Sequence, residues 1–313
     1  MTDAPLGRGV APRLEPAVLF SRRTAATWAR EHTPQTPGVD VLIPTRDRPS
    51  ALAVTLAGLA AQDDPPFDVI VSDQSIAPVA DDAAVAAMVR VLRAQGRRVD
   101  VLRHTPPRGM AEQRQFLLLQ ASADRVLFLD DDVWLEPGSV QRMCDALDTL
   151  ACGFVGMAVQ GLSYLGDRRP NEQAVYEPWV GPVQPEHIDR ESPEFARHKL
   201  HNAANLAHLS AELAGSDAAP DARDWQAYKI AWIGGCVLYR TACLLDAGGF
   251  EFWRELPDVH VGEDVLAEWH VMERYGGAGI LPSGAVHLEL PTTLPHREVE
   301  ASVAIARRIL TTP

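Results

Sequence analysis

The sequence predicts an α/β protein with a mostly parallel central sheet flanked by helices. Short apolar, β-branched runs alternate along the first half of the chain with segments of helical spacing. Polar and acidic residues gather just after the ends of three of those runs, at 45–48, 73–75 and 130–132. Strand–helix alternation implies βαβ units and parallel pairing. In open sheets of that kind, ligands bind outside the carboxyl ends of the strands.

The first strand is Val39-Asp40-Val41-Leu42-Ile43, stopped by Pro44. Leu52, Leu56 and Leu59 then recur with helical spacing, and Ser50 is the expected N-cap. Phe67–Val71 is a second strand, Asp82–Gln95 a helix, Val99–Arg103 a third strand, Gly109–Ala123 a helix and Arg125–Leu129 a fourth strand. Residues from about Gln160 to Gln226 are polar and rich in Pro and His, which predicts long loops and short helices. Pattern returns at Trp232–Arg240, at a helix over Gly262–Tyr275, at a short strand over Gly279–Leu281 and at an amphipathic helix over Arg297–Leu310. Five prolines before residue 38 mark residues 1–38 as an N-terminal extension, with a short helix expected near Ser21–Glu31.

The 313 residues can bury a sizeable core. They carry 42 acidic against 29 basic side chains, a net charge of −13. That surface repels a long phosphate backbone, so no nucleic-acid partner is expected. A single nucleotide stays open, because a metal ion on carboxylates can meet its phosphates. No stretch reaches the roughly 20 apolar residues of a membrane span, so no transmembrane segment is expected, while peripheral membrane contact stays open. The N-terminus lacks the apolar core of a secretory signal. Cys144, Cys152, Cys236 and Cys243 have no metal or disulfide spacing and read as buried thiols, which places the protein in the cytoplasm.

The strongest local signal is Phe128-Leu129-Asp130-Asp131-Asp132-Val133. Three carboxylates at the end of a buried strand repel one another unless a cation is near. Hard divalent ions such as Mn2+ or Mg2+ take such oxygens together with substrate phosphates. Taken alone, the triplet could equally be a turn followed by a helix cap. Carboxylates on two other strand ends favour the cation.

Five stretches in order then resemble family-2-type glycosyltransferases of the GT-A, Rossmann-like fold, which use nucleotide-diphosphate sugars. They are Val41–Arg48, Val69–Ser75, Arg108-Gly109 leading to Arg114, Phe128–Asp132 and Gly262-Glu263-Asp264. The resemblance implies that Pro44, Thr45, Asp47 and Ser75 line the nucleotide pocket and that Asp73 accepts hydrogen bonds from the base. Arg114 stands near the donor, Asp130 faces the ribose with Asp131 beside it, and Asp132 holds the metal. It also makes Asp264 the general base of an inverting transfer; the Q-x-x-R-W signature of processive relatives is absent, so non-processive addition of one sugar is expected. His287, in Gly284-Ala285-Val286-His287-Leu288, matches a position where relatives place a second metal ligand; taken alone, a single His is more often structural. Glu263, Gly234 and Gly235 match the acceptor side. The donor is expected to be a UDP-sugar, with GDP- and dTDP-sugars open, and the acceptor a carbohydrate, a lipid-linked molecule or a small molecule. Residues 39–150 then form the nucleotide-sugar half, 151–290 the acceptor half and 291–313 a C-terminal helix. Ser72-Asp73-Gln74-Ser75 stands where the family often has D-D-G-S, and Arg114-Gln115 where it has Arg-Asn.

Two other readings use the same residues. A sugar nucleotidyltransferase would need a Gly-rich, basic loop after the first strand, which Pro44–Arg48 does not supply. A carbohydrate- or Ca2+-binding module would have no use for Asp264.

Overall fold

Seven consecutive residues, Val39–Thr45, are buried and form the first strand, β1. A strand covered on both faces reads as a continuous apolar run, and here alternate side chains enter two different cores. Val39, Val41 and Ile43 face one core and Leu42 faces the other. The same split recurs in β2 (Phe67–Asp73), where Val69 and Val71 oppose Ile70, and in β4 (Arg125–Leu129), where Leu127 and Leu129 oppose Phe128. The protein was studied as a computed structural model that describes residues 36–214, 225–292 and 297–305. Nearly all of the expected N-terminal extension, including the helix near Ser21–Glu31, lies outside the described residues.

The main sheet has eight strands in the order β3-β2-β1-β4-β9-β6-β10-β8. The added strands are β3 (Val99–Arg103), β6 (Phe154–Gly156), β8 (Gln226–Tyr228), β9 (Cys236–Arg240) and β10 (Gly277–Leu281). β3, β2, β1 and β4 run parallel, as do β6 and β10. Strand β9 is inserted antiparallel between β4 and β6, and β8 is antiparallel at the edge. A small second sheet, β5-β11-β7, joins Val133–Leu135, Ala285–His287 and Gln160–Gly161.

Helices cover both faces. α1 (Pro49–Ala60), α2 (Ala83–Ala94) and α4 (Ser139–Leu150) pack Leu52, Val85 and Met143 into one core. α3 (Met110–Gln120), α7 (Thr241–Asp246) and α8 (Glu263–Tyr275) pack Leu117, Leu244 and Val271 into the other. The long polar segment contains a short helix α5 (Pro170–Gln173), a 3-10 stretch Pro193–His201 and helix α6 (Asn205–Ala214).

Three sequence expectations need correction. Ser50 does not cap α1: Pro49 opens it with Arg48 at the N-cap, because proline's fixed φ suits the first helical position. α3 ends at Gln120, short of Ala123. The C-terminal helix begins at residue 301 instead of Arg297, because the residues before it run alongside Val261. Val261 donates its N–H to Val299 O at 3.0 Å and accepts from Ala301 N at 2.9 Å. Residues 306–313 lie outside the described residues. Cys144, Cys152 and Cys236 are buried free thiols and Cys243 is partly exposed. Among the described residues, no helix is long and apolar enough to cross a membrane.

Candidate active site

The site forms where β1 and β4 end and β9 begins. Because β9 runs against β4, with Leu129 paired to Cys236, its first residues meet the last of β4. Asp130 therefore donates its N–H to Gly235 O at 2.9 Å. Gly235 has φ +79°, which favours glycine, and the backbone at Gly234 passes close to Asp264, an added Cβ there lying 3.1 Å from Oδ2. The second sheet supplies the other wall. β11 pairs His287 with Val133, and Leu288 N donates to Asp132 O at 2.9 Å, which sets the imidazole beside the aspartates.

The three aspartates face different ways. Asp131 is buried, accepting from Thr45 Oγ1 at 2.7 Å and from Arg48 Nη2, while Thr55 Oγ1 holds its carbonyl at 2.8 Å. Burial pushes its carboxyl up to about 6 against the pull of Arg48. Asp132 accepts from Arg48 Nη1 at 2.7 Å, and His287 Nε2 lies 3.4 Å from the same Oδ2. Burial opposes its charge, but the bond to His287 and the Arg48 guanidinium outweigh it and hold Asp132 below the usual carboxylate range. The same bond, against burial, raises His287. Asp130 faces the cleft and accepts from Arg114 Nη2 at 3.0 Å.

Arg114 is buried in α3 and also donates from Nε to Glu263 Oε1 at 2.9 Å. Burial works against its charge, yet Asp130 and Glu263 raise it above the ordinary arginine value. Glu263 and Asp264 open α8 after Gly262, where the helix dipole favours acids. Glu263 is taken up by Arg114. Asp264 Oδ1 accepts from Val265 N at 2.9 Å. Burial first, then the neighbouring Glu263 charge, push Asp264 up to about 7.

Two cavities meet here. A cleft of about 390 Å3 runs from Pro44, Thr45 and Arg48 past Asp130–Asp132 to Arg114, Glu263 and Asp264. A chamber of about 220 Å3 is lined by Ala158, Val159, His201, Trp232, Gly234 and Gly235. Asp130, Asp264 and His287 line both.

Most of the sequence-predicted site residues thus converge, but Asp47, Asp73 and Ser75 do not border either cavity. Asp73 is fully buried, and its carboxylate is taken by Ser75 N at 2.8 Å, Val79 N at 3.0 Å and Arg103 Nη1 at 2.8 Å. Against burial, the Ser75 and Arg103 bonds lower it below the usual range. Asp47, in the left-handed region at φ 56°, donates its N–H to Ser75 Oγ at 2.7 Å and accepts from Ile76 N at 2.7 Å. The three residues brace the β1 and β2 loops against each other, and this bracing engages both oxygens of the Asp73 carboxylate. Glu263 likewise braces Arg114 and does not border the chamber lined by Gly234 and Gly235.

Sequence reasoning missed Arg48, Glu268, His260 and His201. Arg48 lay in a quoted motif without a role. Glu268 is fully buried one turn after Asp264 and accepts from Ile233 N at 2.7 Å, which fixes the loop leading to Gly234. Burial and the Asp264 charge push it well above the usual carboxylate range. His260 Nε2 accepts from Ala111 N at 3.1 Å and its Nδ1 faces Pro257 O at 2.7 Å, so the ring ties the start of α3 to the loop before Glu263. A carboxylate four residues after an acidic pair was the one sequence signal available for Glu268.

With that geometry in place, the comparisons are decisive on family. The model for glycosyl transferase family 2 matches residues 40–200. The chain belongs to that family. It is 24% identical over 260 residues to a pre-mycofactocin glycosyltransferase of Mycobacterium tuberculosis, covering 79% of this chain and 42% of that protein. The chain thus spans less than half the length of this curated relative. Among solved structures it resembles the mannosyltransferase PcManGT of Pyrobaculum calidifontis in complex with GDP-Man and Mn2+, with TM-score 0.52 and 16% identity over 89% of this chain and 66% of that one. It also resembles S. aureus TarS 1-349 in complex with UDP-GlcNAc, with TM-score 0.50 and 17% identity over 82% of this chain and 60% of that one. At these identities the likeness establishes the fold, which is GT-A.

Proposed function

We propose that this family 2 member transfers one sugar from a nucleotide-diphosphate donor to an acceptor hydroxyl, inverting the anomeric centre and releasing the product after a single addition. The observation that carries this reading is the Asp264 carboxylate on the wall common to the cleft and the chamber. Residues 39–150 form the donor half in this reading and 151–290 the acceptor half. Pro44 and Thr45 line the donor cleft, Asp130 faces the ribose and Arg114 fixes Asp130 from behind.

The donor set beside the cleft suits a divalent cation. Asp132 and His287 converge on one edge, an oxygen that Mn2+ or Mg2+ takes and an imidazole that suits Mn2+ better than the harder Mg2+. Among the described residues no group of three His, Cys, Asp or Glu forms a complete cage, so the remaining ligands would be substrate phosphates and water, the usual arrangement for Mg2+. When bound, such a cation neutralises charge that builds on a leaving diphosphate. Asp264 accepts the proton of the acceptor hydroxyl as its oxygen bonds to the anomeric carbon, while the carbon–oxygen bond to the diphosphate breaks and the electron pair leaves with the diphosphate. A carboxyl raised to about 7 is matched to taking that proton near neutral pH.

The solved relatives were captured with UDP-GlcNAc and with GDP-Man plus Mn2+, which supports UDP- and GDP-sugars as donors to try first. The apolar lining of Ala158, Val159 and Trp232 suits an acceptor with an apolar face beside its hydroxyl. Four free cysteines suit a reducing compartment, and we place the protein in the cytoplasm. A thermal-shift screen of UDP-, GDP- and dTDP-sugars with and without Mn2+, in wild type and Asp132→Ala, tests the reading. Stabilisation by a nucleotide sugar that needs Mn2+ and disappears in Asp132→Ala is the expected outcome. Stabilisation by Mn2+ but by no nucleotide would remove the transferase.

A further inference from the structure

Arg48 holds the position most directly in competition with a cation. From the N-cap of α1 it reaches the end of β4, with Nη1 2.7 Å from Asp132 Oδ2 and Nη2 on Asp131 Oδ1. Asp132 Oδ2 is also the atom 3.4 Å from His287 Nε2, so the oxygen nearest the proposed second ligand is already covered by a guanidinium. The Arg48 side chain is one-fifth exposed and borders the cleft. It therefore has room to swing, whereas Asp131 Oδ2, which Arg48 Nε also approaches at 3.4 Å, is held by Thr45 Oγ1.

We infer that Arg48 is a resident counter-ion for the aspartate corner, which yields Asp132 to a divalent cation when a diphosphate enters the cleft. This rests on the donor-site reading above. The Arg48 guanidinium takes one side of Asp132 Oδ2 and sets a positive charge against a dication, which needs direct contact with that carboxylate. Released from Asp132, the planar fork is suited to the diphosphate oxygens arriving beside it. The swap leaves no uncompensated charge on Asp132 at either stage. It also couples the two ligands: metal alone meets the opposing charge of Arg48, whereas metal with diphosphate gives Arg48 a new partner.

The nucleotide dependence of one substitution separates this from a plain structural ion pair. Mn2+ binding is read by electron paramagnetic resonance of free Mn2+ on the full chain, in wild type, Arg48→Gln and Arg48→Lys, each with and without UDP or GDP. Without nucleotide, Arg48→Gln binds Mn2+ roughly tenfold or more tightly than wild type, the scale of one charge-assisted hydrogen bond. Its gain in Mn2+ affinity on adding nucleotide is smaller than that of wild type. Arg48→Lys, which keeps the charge without the two-pronged reach, shows a smaller gain in the same direction. Unchanged or weaker Mn2+ binding in these variants, or a nucleotide-induced gain in Arg48→Gln as large as that of wild type, overturns the inference and leaves the donor site standing. Nucleotide binding with no Mn2+ binding in any protein also overturns it, and removes the metal from the reading while keeping the nucleotide.

Discussion

Residues 39–135 and residues 157–235 both reach Asp130 and Asp264, by different means. In the first stretch each contributing loop follows a buried parallel strand, so the pleat fixes where Thr45 and Asp130 emerge. In the second, β7 and β8 are short, and His201 and Trp232 arrive from 3-10 and coil segments. The first wall depends on backbone ladders, which tolerate little change. The second depends on side-chain packing and single bonds such as Glu268 to Ile233 N. In a family sharing one fold, that difference lets the proposed donor side stay rigid while the acceptor side varies by loop replacement.

Substitution at the shared wall tests the comparison hardest. Asp264→Asn is expected to lower transfer by about 10²–10⁴-fold with nucleotide affinity unchanged, as measured by single-turnover kinetics and calorimetry. If donor binding fell equally, Asp264 would belong to the donor wall alone. The same variant reports on stability. The Asp264 carboxyl is raised by folding, so its contribution is present at low pH and is lost as pH rises through about 7. The stabilising effect of Asp264→Asn should therefore grow between pH 5 and pH 8 in melting experiments.

A smaller effect is expected at Trp232, which lines the chamber and not the cleft. Trp232→Ala should raise acceptor KM by about tenfold, on the scale of one lost apolar contact surface, and leave donor affinity alone. A loss of donor affinity would show that the two cavities are not separable. Glu268→Ala leaves the Ile233 N–H without its partner and should lower stability by about 1–3 kcal/mol, read by denaturant titration. Glu268→Gln keeps an acceptor oxygen and should stay near wild type.

Much of this was legible from the residues. Apolar runs bounded by Pro, Asp and Gly located β1 to β4, because a doubly covered strand has few alternatives. The aspartate triplet and the Glu-Asp pair stood out because adjacent carboxylates at strand and helix ends need a reason. What stayed hidden depends on tertiary contact. The antiparallel insertion of β9 brings Gly234 and Gly235 to Asp130, and no local pattern encodes that pairing. Asp73 looked free to meet a base, but the β2 loop folds back and supplies Ser75 and Val79 N–H groups to it. His201 sits in a segment without periodicity and becomes a chamber residue only through the packing of Trp232 and Tyr228 around it.

The dependence of kcat/KM on pH between 5 and 9, followed through release of the nucleoside diphosphate, bears most directly on Asp264 as the base between two cavities. In the proposed role the carboxylate form is the active one, and burial raises its carboxyl to about 7, so the profile should fall about tenfold per pH unit below that value. A profile that stays flat from pH 8 down to pH 5 would contradict that role.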